Sequence, residues 1–266
     1  MRIFVTDLDH TLVNHTIAGK DEALEKLNLE LSKRRNRNET KIVYSTGRSL
    51  TLYKQLAAEK QLLNPDALIT SVGTEIYYFD SSYQTPDQEW SEILKRGWNR
   101  YSVEEIINKH FSEEIIAGKL KFQQKSEQGL FKVSCFLKEE TAERLLPKLS
   151  DLLENKNIKF KLIYSGSKDL DVLPSNADKG SAVKYLQEKW NVSADEKTVV
   201  CGDSGNDISL FSLAEERVRG IIVGNALPEL REWYNNNKSD YIYYAKSSCA
   251  EGILEGLTHH LNLKLT

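Results

Sequence analysis

The sequence predicts an α/β protein: a doubly wound parallel sheet with an inserted α/β module. Three observations predict it. Short apolar, β-branched runs alternate with helical stretches at the start of the chain and again toward its end, the pattern of strand–helix–strand units. Two of these runs end in acidic loops, and in open α/β sheets ligands bind outside the carboxyl ends of strands. Between the two alternating regions, over about residues 79–165, helices and strands follow in a different order.

In chain order, Ile3-Phe4-Val5-Thr6 reads as a buried strand. Residues 21–33 follow as a helix with Leu24, Leu27 and Leu31 at helical spacing. The basic cluster Lys33-Arg34-Arg35 with Arg37 reads as its end, where cations suit the negative pole. Lys41-Ile42-Val43-Tyr44-Ser45 is a second strand, running into Thr46-Gly47-Arg48, and residues 50–60 a helix. Ala67-Leu68-Ile69-Thr70-Ser71 is a third strand, leading into Val72-Gly73-Thr74. In the insert, residues 102–110 and 139–154 read as polar helices, and Lys132-Val133-Ser134-Cys135-Phe136-Leu137 and Lys159-Phe160-Lys161-Leu162-Ile163 as strands. Trp90, Trp98, Tyr101, Phe111 and Phe122 are expected to pack in a core or interface. The alternation resumes with an extended segment at 170–174, a helix at 179–190, a strand Thr198-Val199-Val200-Cys201, a helix at 208–214 and a strand Gly220-Ile221-Ile222-Val223. The expected organisation is a Rossmann-like core of residues 1–78 and 166–266 around an insert of residues 79–165. His259 and His260 are expected at a solvated helix end.

Composition narrows the function classes. The 266 residues, 40% of them hydrophobic, suffice for one large domain or two modest ones. A formal net charge of -3 with both signs interspersed lacks the basic footprint of a nucleic-acid binder, so no nucleic-acid partner is expected. The three cysteines, Cys135, Cys201 and Cys249, form no CxxC pair, zinc spacing or disulfide framework, which suits a reducing compartment. No charged-then-apolar leader precedes the first strand, and no apolar run approaches the ~18 residues of a membrane span. A cytoplasmic location without a membrane partner is the expectation.

Four segments carry candidate chemistry. Asp7-Leu8-Asp9-His10-Thr11-Leu12 places two carboxylates two residues apart directly after a strand. Such close like charges need a cation or proton between them, and hard oxygen ligands suit Mg²⁺. The bland alternative is a solvated acidic turn. Gly202-Asp203-Ser204-Gly205-Asn206-Asp207 repeats the situation far along the chain, with an ordinary Asp/Asn/Gly turn as its alternative. Two acidic loops at two strand ends of one sheet can converge on a single cation. Ser45-Thr46-Gly47-Arg48 offers a hydroxyl and backbone N–H groups for an anion, or a simple helix cap. Lys179, in Asp178-Lys179-Gly180, sits at a helix start where the dipole disfavours it, as a phosphate-facing Lys would, or as a surface Lys does.

The order Asp-x-Asp-x-Thr, Ser-Thr-Gly-Arg, Lys and Gly-Asp-Ser-x-Asn-Asp resembles the haloacid dehalogenase (HAD) superfamily of phosphatases over nearly the whole chain. The insert lies where that superfamily's C2-type caps sit. The strings 44–49, 71–77, 168–174, 200–207 and 225–230 are similar to the bacterial and plant sucrose-phosphate phosphatases, and the length matches the compact bacterial kind. Ser165-Gly166-Ser167-Lys168 departs from that pattern by interchanging Ser and Gly. The resemblance implies a Mg²⁺-dependent phosphatase for a small-molecule sugar phosphate, sucrose 6-phosphate foremost. It implies Asp7 as nucleophile and Asp9 as acid/base, holding a proton in the first step while Asp7 stays ionised. Thr46, Gly47, Lys179 and Asn206 would bind phosphate, and Asp7, Asp9, Asp203 and Asp207 the metal. Arg48, Glu75, Lys132, Lys168 and Asp171 are candidate substrate contacts. A monomer is expected, with a sucrose-phosphate synthase as candidate partner. Other glycosyl phosphates, a phosphomutase and a non-catalytic phosphosugar-binding module remain alternatives.

Overall fold

A computed structural model describes residues 1–17, 19–79, 85–192 and 197–261. Along the chain the elements are β1 (Arg2–Thr6), α1 (Glu22–Asn36), β2 (Thr40–Ser45), α2 (Leu50–Lys60), β3 (Ala67–Thr70), β4 (Glu75–Tyr78) and α3 (Gln88–Leu94). Next come α4 (Arg100–His110), α5 (Ser112–Ile116), β5 (Leu120–Phe122), β6 (Val133–Leu137), α6 (Glu139–Asn155), β7 (Phe160–Ser165) and β8 (Asp169–Pro174). The last are α7 (Lys179–Lys189), β9 (Thr198–Gly202), α8 (Ile208–Phe211), β10 (Arg219–Ile222), α9 (Pro228–Asn236), β11 (Ile242–Tyr244) and α10 (Cys249–Leu261).

Among the described residues the large sheet has the order β11-β10-β9-β1-β2-β3-β4. β1 lies at its centre, parallel to both β2 and β9. The chain moves outward in one direction through β2 and β3 and in the other through β9, β10 and β11. The strand order therefore reverses at β1, and the crevice at its carboxyl end is where such sheets bind ligands. The strands are buried on both faces, as parallel strands under helices must be, and two apolar clusters cover the two faces. Leu24, Leu27 and Leu31 bury one side of α1, whose first turn is capped by the Asp21 carboxylate accepting from Leu24 N–H. Lys33, Arg34 and Arg35 do fall in its last turn.

The second sheet is antiparallel, in the order β5-β6-β8-β7, and packs with α4 and α6 into a separate apolar cluster. Its membership corrects the expected insert of residues 79–165 at both ends. β8 pairs with β6 and with β7, so the small sheet continues through Pro174. At the other end, Trp90 and Leu94 of α3 bury in the core of the large sheet. β4 is an antiparallel edge strand that the alternation had concealed. Of the aromatic residues expected to be packed, Tyr101 is 84% exposed, whereas Trp90 and Phe111 are buried. The helix expected over 208–214 is α-helical only to Phe211 and continues as a 3₁₀ turn. Nor is His260 solvated: it is half-buried, with Nε2 2.9 Å from Gly220 O, while exposed His259 stacks on Tyr243.

The loop between β3 and β4 is wedged between the β2–α2 turn and the start of α7. Ser71, Val72 and Gly73 all have positive φ, +51°, +60° and +93°. A β-branched residue there is strained, and such strain persists only where surroundings hold it. Ser71 N–H donates to Arg48 O (2.9 Å), Val72 N–H to Thr46 O (3.1 Å) and the Trp90 indole to Gly73 O (3.0 Å). A Cβ on Gly73 would lie 2.3 Å from the backbone of Asp178, the residue before Lys179. We therefore expect Gly73→Ala to lower the unfolding free energy by roughly 2–4 kcal/mol in a urea titration, from overpacking plus left-handed strain. A change below measurement error would show that this contact is not rigid.

Candidate active site

Asp7 follows β1 directly, and its N–H donates to Cys201 O (3.0 Å) on neighbouring β9. That ladder bond fixes the first acidic loop against the second. Lys179, the first residue of α7, is wholly buried and donates to Asp7 Oδ1 (2.7 Å) and Asp207 Oδ1 (2.6 Å). Its placement at a helix start is thereby explained, since two carboxylates outweigh the unfavourable helix pole. Carboxylate oxygens of Asp7, Asp203 and Asp207 lie within 4.8 Å of one another, so the two loops do converge.

Three buried carboxylates against one ammonium leave two negative charges uncompensated in a poorly solvated place. Burial, and next the Asp207 carboxylate, push Asp7 up to about 7 against the pull of Lys179. Burial, then Asp7 and Asp207, push Asp203 up to about 8. Lys179 stays charged: burial lowers its pKa, but Asp207 and Asp7 together raise it above the ordinary Lys range. A divalent cation would supply the missing charge, and the all-oxygen donor set of these carboxylates suits a hard one.

The carboxylates are not equivalent as ligands. Asp207 Oδ1 takes Lys179, while Oδ2 accepts from the N–H groups of Asp203 (3.0 Å) and Ser204 (3.1 Å). Asp207 is thus spent on orienting the ammonium and closing its own loop. Close packing enforces this, as a Cβ on Gly202 would lie 2.5 Å from the Asp207 side chain. Asp203 is steadied by the Thr11 hydroxyl donating to Oδ1 (2.8 Å).

Asp9 lies farther out and is more exposed. Arg48 grips it with two bonds, Nε to Oδ2 and Nη2 to Oδ1, both 2.7 Å, and His15 Nε2 lies 2.7 Å from Oδ1. Burial acts to raise its pKa, but the hydrogen bonds and charge of Arg48, then those of His15, hold it below the usual carboxylate range. Beside this guanidinium Asp9 is ionised, so the proton expected of it in the first step must be gained once Arg48 has been drawn away.

A cavity of about 510 Å³ opens over these groups, lined by Asp7, Asp9, Arg48, Gly47, Asp203 and Asn206 from the large-sheet side. Thr46 is not at its surface. It is wholly buried behind Gly47, with Oγ1 accepting from Arg48 N–H (3.1 Å) two residues on, a turn bond ahead of α2 rather than a helix cap, since the N-cap of α2 is Ser49. From the small-sheet side come Lys132, Lys168 and Asp171. Lys132 Nζ lies 3.7 Å from Asp171, 3.8 Å from Glu127 and 3.3 Å from Gly47 O, so it bridges the two sheets. Glu75 is not brought to the cavity: its Oε2 accepts from the Thr70 and Tyr77 hydroxyls. Gln123, Glu127, Asp169, His10 and His15 were missed by sequence reasoning. Asp169 and Asp171 share a face of β8 by the two-residue strand period, a legible signal. The partner of Asp169, Gln123 (2.9 Å), comes from another segment and left none.

A reversing parallel sheet with a buried Lys–carboxylate centre at its switch point, overlaid by a second α/β unit, defines a member of the haloacid dehalogenase superfamily, whose fold the solved structural neighbours share. The family model for sucrose-6F-phosphate phosphohydrolase matches residues 1–261, and the chain belongs to that family. It is 40% identical over 261 residues to sucrose-phosphatase 2 of Nicotiana tabacum, covering 97% of this chain but only 58% of that protein. It is 31% identical to the mannosylfructose-phosphate phosphatase of Agrobacterium fabrum (strain C58), covering 97% of this chain and 96% of the other. The sucrose-phosphatase of Synechocystis sp. PCC6803, solved in complex with sucrose and phosphate, superimposes with a TM-score of 0.84 at 36% identity, covering 98% of each chain. Among the described residues no helix is long and apolar enough to cross a membrane.

The raised carboxyls make a stability prediction. In metal-free protein Asp7 and Asp203 bind protons more tightly folded than unfolded, so stability falls as pH rises from the ordinary carboxyl value of 3.8 to about 7 and 8 and levels off above. We expect the metal-free melting temperature to drop between pH 6 and 8.5, and Asp203→Asn to flatten that slope. Added Mg²⁺ should stabilise more at the higher pH, because binding there displaces fewer protons. A metal-free protein equally stable across this range, with the Asn variant unchanged, would contradict the charge imbalance.

Proposed function

We propose that this chain is a Mg²⁺-dependent phosphomonoesterase that hydrolyses sucrose 6-phosphate to sucrose and phosphate through a phospho-aspartate at Asp7. The single observation that carries this reading is the buried Asp7–Lys179–Asp207 chain, with Asp203 alongside, beneath a polar cavity shared by two sheets. Membership of the family, and a Synechocystis relative holding sucrose and phosphate, support the substrate.

In this reading Asp7 and Asp203, with the Asp9 backbone carbonyl, would hold the ion, and Asp207 supports them. When bound, the ion supplies positive charge beside the phosphate oxygens. Lys179 supplies a fixed charge that holds the Asp7 carboxylate ready and offsets the phosphate. Gly47 and Asn206 bind phosphoryl oxygens, and Thr46 shapes the turn behind them. Asp7 attacks phosphorus, the ester P–O bond breaks, and the leaving sugar oxygen takes a proton from Asp9. Water then gives a proton to Asp9 and its oxygen attacks phosphorus, releasing phosphate and restoring Asp7. The phosphate dianion competes with Asp9 for Arg48, and loosening that ion pair allows Asp9 to carry the proton. Lys168 and Asp171 contact sugar hydroxyls, and Lys132 holds the upper wall to the phosphate turn. The protein acts as a monomer, downstream of a sucrose-phosphate synthase.

A second reading, mannosylfructose phosphate as substrate, is favoured by the Agrobacterium relative, which this chain matches over nearly its full length. A phosphate-release panel that includes both disaccharide phosphates, sucrose 6-phosphate and mannosylfructose phosphate, with and without Mg²⁺, separates the two. We expect sucrose 6-phosphate to be preferred over glucose 6-phosphate and fructose 6-phosphate by kcat/KM of about 100-fold or more. Asp7→Asn should lower that rate by on the order of 10³-fold or more. Flat rates across the panel, or release that survives the Asn substitution, would end the proposal.

A further inference from the structure

One segment absorbs no role in the chemistry above yet touches both acidic loops and the β7–β8 turn. Residues 225–229 lie between β10 and the first turn of α9. Asn225 Nδ2 donates to His10 O (2.7 Å) in the first acidic loop, and its Oδ1 accepts from Cys249 N–H (3.0 Å). Leu227 N–H donates to Asp203 O (2.7 Å) in the second. Glu229 reaches farthest: its Oε1 accepts from Gly166 N–H (2.8 Å) and, more weakly, from Gly205 N–H (3.4 Å). Gly166 belongs to the β7–β8 turn of the small sheet, and Gly205 to the Asp203–Asp207 loop of the large one. One carboxylate oxygen therefore joins the two units at the rim of the cavity.

A Glu in the first turn of a helix is favoured by the dipole alone and needs no partner. Here the carboxylate points away from α9 to two N–H groups outside it. The turn it holds is tight: Lys168 N–H donates to Ser165 O (3.2 Å) across Gly166 and Ser167, whose φ of +59° and +50° are those of a primed turn within a three-residue loop. Ser165, Gly166, Lys168 and Asp169 of this turn all line the cavity, as does Leu227 opposite. The interchange of Ser and Gly noted in the sequence thus falls on the turn that this clasp fixes.

We propose that Glu229 is a positioning residue, a clasp that holds the β7–β8 turn over the phosphate end of the cavity and so sets the affinity for a bulky leaving group. The effect on substrate rests on the phosphatase reading above; the clasp itself does not. Losing it lowers the population of the binding-competent arrangement, and apparent affinity falls by that factor.

The test uses the full chain with Glu229→Ala and Glu229→Gln, the latter keeping an acceptor oxygen. Hydrogen exchange over residues 162–170, read without substrate, should quicken about tenfold in the Ala variant and stay near wild type in the Gln variant. With Mg²⁺ and the disaccharide phosphate that wild type uses best, KM should rise about tenfold in the Ala variant, with a smaller change in kcat. Selectivity over p-nitrophenyl phosphate should fall in parallel, and Gln should recover most of both. Unchanged exchange in the Ala variant overturns the clasp. So does a Gln variant as impaired as Ala with kcat falling alike on both substrates, since that marks a role in charge or folding. A wild type inactive on sucrose 6-phosphate removes the substrate proposal instead, and the exchange result still decides the clasp.

Discussion

The ammonium of Lys179, buried between Asp7 and Asp207, is the interaction on which the rest of this site depends. It is a wholly enclosed charge, and such a charge is tolerable only when paired and hydrogen-bonded. Both its partners come from strand-end loops on adjacent strands, and α7 delivers it from a third direction. Removing it would leave three buried carboxylates facing one another. The same arithmetic of charge, two negative units in excess, is what turns a structural ion-pair network into a place for a divalent cation.

The scaffold around this pair is stiff where stiffness is needed. The left-handed run Ser71–Gly73 sits between the Thr46-Gly47-Arg48 turn and the start of α7, tied to the former by two backbone bonds and leaving no room for a Cβ against the latter. Gly202 closes on Asp207 in the same way. Residues 225–229 fasten both acidic loops from the far side. Close-packed backbone thus fixes the positions of the charged groups, as precise electrostatic preorganisation demands.

The outer half of the site is built differently. Lys132 joins Asp171 and Glu127 to Gly47 O, so the small sheet meets the large one through a long side chain, while on the large-sheet side of the cavity Asp9 pairs with both Arg48 and His15. The partly solvated Arg48–Asp9–His15 contacts can exchange partners when an anionic ligand enters, whereas the buried Lys179 centre cannot. The division suits a molecule that must keep one end of a substrate fixed and read the other.

Much of the architecture was legible in the residues themselves. Short apolar, β-branched runs and the helical stretches alternating with them marked β1, β2, α2 and α7 closely, because their burial is set by local pattern. The two acidic loops announced themselves by carboxylates directly after apolar strands. What the sequence could not show was pairing across space. β8 reads as a strand of either unit, and only its hydrogen bonds to β6 and β7 assign it to the small sheet. Thr46, exposed to phosphate in the motif, is buried behind Gly47, and Glu75 is turned to Thr70 and Tyr77. The pKa of Asp9 was equally hidden, since a carboxyl's charge state depends on which guanidinium lies beside it. The sequence by itself determined which chemical groups are present and which strand ends present them, because backbone periodicity is local. Only the tertiary structure decided which groups neutralise, orient or block one another, because electrostatic and packing energies depend on distances that the order of residues does not contain.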